Sequence, residues 1–140
     1  MNICVIIAQA NDSKDHLSDI AKGFVDGFSA NGHNVTVLSV SHDSDKRITI
    51  YDYLIVLSEP VSFFSAKLPG KLKTFLASAG TVSGKRASVF VSGGLRKAKT
   101  LQNLMTTVES EGVILKSGDI VKNRDEAKAI ASHLNIERNL

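Results

Sequence analysis

Apolar positions in this chain follow two alternating rhythms. Short unbroken runs at Asn2–Ile7, Val35–Val40, Tyr53–Leu57 and Ala87–Val91, with a weaker one at Val113–Leu115, predict strands. Runs without alternation imply burial on both faces of a sheet. Between them lie helical stripes. Leu17, Ile20, Ala21, Phe24 and Phe28 share one face, as do Leu72, Phe75, Leu76 and Ala79 of a helix beginning near Lys67. Leu101, Leu104, Met105 and Val108 form a third stripe, and Ala127, Ile130, Ala131 and Leu134 a fourth. Asn31-Gly32, Gly80 and Gly112 supply the stop signals. The segment Ser41–Asp52 is polar, then alternating, and too rich in Asp and Ser for a full helix, so a loop or single turn is expected there. Strands separated mostly by helices predict an α/β three-layer sandwich around a five-stranded parallel sheet. Right-handed crossovers favour the strand order 2-1-3-4-5, with the second crossover helix short or absent.

In such a sheet, a loop leaving the carboxyl end of a strand is where ligands sit. The third predicted strand runs into a loop holding Pro60, Val61, Ser62 and the pair Phe63–Phe64. One phenylalanine is expected in the core beneath the loop and the other against a ligand cleft. The first loop follows Ala8 and contains Gln9, Ala10, Asn11, Asp12 and Ser13, with Asp12 or Ser13 placed to cap the following helix. After the fourth strand, Ser92-Gly93-Gly94-Leu95 gives a turn whose glycines let backbone amides approach a ligand closely.

Composition narrows the class. The 140 residues suit one domain, residues 1–140, able to bury roughly two thirds of its unfolded surface. No apolar run approaches the roughly 20 residues that cross a bilayer. The start MNICVIIAQ has neither a basic leader nor a cleavage site. The lone Cys4 excludes a disulfide framework and, inside an apolar strand, reads as a buried thiol. A cytoplasmic protein with no membrane partner is expected, and the glycosylation-like triplets at Asn11 and Asn34 are coincidental.

Charge is unevenly distributed. Pro60–Val108 holds eight Lys or Arg and no acid, whereas Met1–Glu59 holds eight acids and four bases. A basic rim at Arg96, Lys97 and Lys99 would attract a phosphate-bearing nucleotide such as NAD(P)H, or another anion. Nucleic acid is not expected, because no recognition motif or interleaved aromatic accompanies the charge. His16, His33, His42 and His133 lack metal-ligand spacing. The first strand is followed by neither a Walker A loop nor G-x-G-x-x-G. No side chain stands out as a catalytic acid, base or nucleophile.

Tyr51-Asp52-Tyr53-Leu54-Ile55-Val56-Leu57-Ser58-Glu59-Pro60, then Phe63-Phe64 and Leu68-Pro69-Gly70-Lys71-Leu72-Lys73-Thr74-Phe75-Leu76, resembles the flavodoxin-like superfamily, nearest its NAD(P)H:quinone-reductase branch. Val89-Phe90-Val91-Ser92-Gly93-Gly94 is similar to that family's fourth strand and following flavin loop. The resemblance implies FMN at the carboxyl edge, held by Gln9–Ser13, Pro60–Phe64 and Ser92–Leu95. It implies redox chemistry with NAD(P)H, a quinone or a redox partner protein, and allows a homo-oligomer. The family's phosphate loop usually reads Ser/Thr-x-Thr-Gly-x-Thr, whereas Ala8–Ser13 here keeps only the Ser13 hydroxyl and brings the negative Asp12. Two functions follow as expectations: an FMN-linked reductase or electron carrier, or a flavodoxin-like binding module that has lost flavin.

Overall fold

The three strands richest in apolar residues lie side by side in the middle of one sheet. In the computed structural model, which describes residues 1–10, 16–80, 82–134 and 136, the elements are β1 (Asn2–Ala8), α1 (His16–Ala30), β2 (Asn34–Ser39), β3 (Tyr53–Ser58), α2 (Gly70–Ser78), β4 (Arg86–Val91), α3 (Lys97–Ser110), β5 (Ile114–Ile120) and α4 (Arg124–His133). The sheet order is β2-β1-β3-β4-β5, all parallel, as the alternation of strand and helix predicts. Ala8 pairs with Ser58 and Ser58 with Val91, so β1, β3 and β4 end at one level. Their exit loops therefore emerge side by side.

Alternate residues of the central strands feed two cores. Cys4, Ile6, Leu54, Val56 and Val89 face Leu72, Phe75, Leu76, Leu104 and Val108 of α2 and α3. Ile3, Val5, Ile55, Leu57 and Phe90 face Leu17, Ile20, Phe24, Phe28, Ala127 and Ala131 of α1 and α4. Among the described residues, no helix is long and apolar enough to cross a membrane.

Ser41–Asp52 contains only turns, as expected. Ile48 from this segment is fully buried in the α2/α3 core, and its N–H donates to the Ala79 carbonyl (2.9 Å). A single isoleucine thus helps close the face where a crossover helix would otherwise lie.

Three expectations need correction. Burial on both faces holds for β1, β3 and β4 but not for the edge strands, where Val37 and Ile114 are 40% and 45% exposed. The second helix starts at Gly70 rather than near Lys67, because Pro69 disfavours helical geometry at Leu68 and itself takes the N-cap place. The last strand runs to Ile120, well past Leu115. Its polar stretch stays in the ladder because β4 supplies the pairing, with a register shift between Ala87 and Ser88. The Ser88 and Ser117 hydroxyls also meet at 2.6 Å.

Burial pushes the Cys4 thiol from its ordinary 9.0 up to about 12, and the Asp43 charge adds to the shift. The unfolded chain releases this proton first, so stability is complete below about pH 9 and falls as pH rises toward 12, by about 1.4 kcal/mol per unit from this group. The native thiol is expected to resist a disulfide reagent at neutral pH. Labelling should proceed only at the rate of unfolding, and rapid labelling of the native protein would contradict its burial.

Candidate cleft at the carboxyl edge of the sheet

The loops leaving β1, β3 and β4 surround a cleft of about 490 Å³, lined by Ala10, His16, Glu59, Pro60, Val61, Ser62, Phe63, Gly93 and Gly94. This volume lies within the range of small-molecule sites. Backbone and side-chain bonds tie the three loops together. The Ser92 N–H donates to the Ser58 carbonyl (3.1 Å), and the Leu95 N–H donates to the Phe63 carbonyl (2.8 Å). Glu59 Oε1 accepts from the Ala10 N–H at 2.8 Å, joining the first loop to the second.

Glycine is required where the second and third loops touch. Gly94 has φ +78°, and a Cβ there would lie 2.6 Å from Pro60 Cγ. The preceding Gly93 has φ +83° and open space where its Cβ would be. Consecutive left-handed residues turn the backbone sharply at the cleft wall.

The paired phenylalanines behave differently from expectation. Ser62–Ser65 forms a turn closed by the Ser65 N–H to the Ser62 carbonyl (3.1 Å), with Phe63 and Phe64 at its tip. Both are exposed, at 59% and 73%, and their rings meet edge to face at 5.1 Å. The core phenylalanine expected here is absent, because the turn carries both rings at its tip. Phe63 lines the cleft and Phe64 does not.

Of the predicted contacts, Ala10, Pro60, Val61, Ser62, Phe63, Gly93 and Gly94 come together at the cleft. Gln9 adjoins the lining without belonging to it. Ser92 is 2% exposed behind the wall, and Leu95 contributes its amide while its side chain points to solvent at 61% exposure. Asn11, Asp12 and Ser13 lie outside the described residues, and with them the predicted helix cap.

His16 was not anticipated. As the first residue of α1 it reaches the cleft, where its Nε2 lies 2.8 Å from Ser92 Oγ. Its position at the start of a helix entering from the first loop was the available signal, since such helix starts adjoin the carboxyl edge. Glu59 and His16 are the titratable side chains in the lining.

The architecture is a flavodoxin-like fold. It superimposes on a flavodoxin from the domain Archaea with TM-score 0.74 at 16% identity, covering 100% of both chains. Flavodoxin 1 from Bacillus cereus gives 0.70 at 14% identity, covering 96% of this chain and 100% of the other. NAD(P)H:quinone oxidoreductase from Methanothermobacter marburgensis gives 0.68 at 14% identity, covering 96% and 99%. No protein-family model matches the sequence, and no curated protein matches it significantly.

The cleft presents the exposed Phe63 side chain and a stretch without side chains at Gly93-Gly94, both compatible with a flat ligand. The one described amide of the first loop that lines the cleft, that of Ala10, is already taken by Glu59.

Proposed function

We propose that this protein binds FMN in the carboxyl-edge cleft and acts as a small flavodoxin-type redox protein, in the form of an NAD(P)H- or quinone-type reductase. The observation that carries this reading is the convergence of three strand-exit loops on one cleft with Phe63 and Gly93-Gly94 in its lining. Bound FMN would supply the hydride and electron chemistry. Phe63 would lie against the ring, a contact worth about 0.5–1.5 kcal/mol beyond area burial. The Gly93 and Gly94 backbone would border the ring edge, and His16, oriented by Ser92, would present a polar group to the cleft. The buried, unpaired thiol of Cys4 fits a reducing cytoplasm.

A carrier and an enzyme separate by one assay. FMN-loaded protein is expected to oxidise NAD(P)H with a quinone as acceptor and no second protein present. Flavin binding without that turnover would make the protein a carrier.

The competing reading, a binding module without flavin, draws on the Glu59 carboxylate at the cleft and the departures at Ala8–Ser13. Glu59→Gln separates charge from shape, because glutamine retains an acceptor for the Ala10 amide. With a dianionic phosphate nearby, FMN affinity is expected to rise about 3- to 10-fold at low salt while riboflavin affinity stays level. Equal changes for both flavins would contradict an anion at this end of the cleft.

A further inference from the structure

Large apolar side chains are exposed at seven described positions, and four of them, Val61, Phe63, Phe64 and Leu95, belong to the two loops beside the cleft. The Leu95 N–H bond to the Phe63 carbonyl (2.8 Å) and the contact geometry of Gly94 with Pro60 hold these loops together, so the four side chains form one neighbourhood. Lys67 and Arg96 stand exposed on the same two connections, and Lys99 stands exposed in the first turn of α3 that follows. Among the described residues their side chains make no ion pair, whereas Lys97 spends its ammonium on the Gly94 carbonyl (2.8 Å). An apolar centre with an unpaired charged rim is the anatomy of a protein-docking surface.

We infer that this face docks an acidic redox protein, one presenting carboxylates around a small apolar centre. The word redox rests on the proposed flavin function, while the docking chemistry rests on this surface alone. Phe64 and Leu95 lie outside the cleft and add apolar area that a nucleotide phosphate does not use. A two-fold contact with a second copy would set Lys67, Arg96 and Lys99 against the same cations, which opposes such a dimer. Positive steering would speed encounter with an acidic partner and fade as salt rises. Docking there also brings the partner to the mouth of the cleft, where Phe63 belongs to both surfaces.

The test is direct binding of the full chain to an acidic plant-type [2Fe–2S] ferredoxin, with basic cytochrome c as the control. Saturable ferredoxin binding is expected at low salt, weakening at least about tenfold at high salt. Phe64→Ser and the combined change Lys67→Glu, Arg96→Glu and Lys99→Glu should each weaken it about tenfold, measured with FMN saturating. No ferredoxin binding, tighter cytochrome c binding or insensitivity to these variants would overturn the inference. So would loss of NAD(P)H affinity alone in the charge variant, which marks a nucleotide site, or self-association abolished by Phe64→Ser, which marks a second copy. Ferredoxin binding by a protein that fails to bind FMN would sink the redox reading and leave the docking surface standing.

Discussion

A leucine at Gly27 will severely destabilise the native state. Gly23 and Gly27 lie one turn apart on α1, against Ala127 and Ala131 one turn apart on α4. A Cβ at Gly27 would meet Ala131 Cβ at 2.5 Å and the Lys128 carbonyl oxygen at 2.6 Å. Backbone of a second helix cannot rotate aside, so the helices must separate and expose the core around Phe24 and Phe28. Overpacking ordinarily costs about 1–3 kcal/mol and sometimes more. The loss expected here exceeds about 3 kcal/mol, against a typical total of about 5–15. Gly32→Ala is the control, since Gly32 has φ +86° and nothing within 4 Å of a Cβ. It should cost only the left-handed strain, about 1–2 kcal/mol. Urea denaturation of both variants checks the prediction, and similar midpoints would refute the close approach of α1 and α4.

A valine at Gly94 will empty the cleft while leaving the sheet folded. The residue must be left-handed, at φ +78°, and the new Cβ would press on Pro60 at 2.6 Å. A β-branched residue adds strain of about 1–3 kcal/mol and drives the second and third loops apart. The wall proposed to border the flavin depends on that contact, so flavin affinity is expected to fall at least about 100-fold, equivalent to about 2.7 kcal/mol. Leu95→Ala touches the same loop but removes only an exposed side chain, since the bond to Phe63 comes from the backbone. Flavin affinity should change less than about twofold there. Comparable losses in the two variants would show that the glycine contact does not shape the cleft.

The fold was legible because β1, β3 and β4 are buried strands and read as continuous apolar runs. The end of β5 was not legible: Lys116–Asp119 looks like a loop until the β4 ladder is placed beside it. Phe63 and Phe64 misled for a related reason. Hydrophobicity predicted burial for one of them, but the turn Ser62–Ser65 holds both at its tip. Most of the cleft lining followed from topology, since loops at the carboxyl ends of adjacent strands must converge. His16 escaped because its significance depends on the 2.8 Å approach to Ser92, 76 positions away. Glu59 stands inside the quoted motif, but its hold on the Ala10 amide required the three-dimensional arrangement.

The flavin reading stands or falls on one titration. FMN fluorescence followed against increasing protein is expected to quench saturably, at one site per chain and with micromolar or tighter affinity, and the same titration with Gly94→Val should give no quenching over that range. Absence of quenching by the unmodified protein, with no thermal shift from FMN, FAD or riboflavin, would contradict the assignment and leave the cleft to a different ligand.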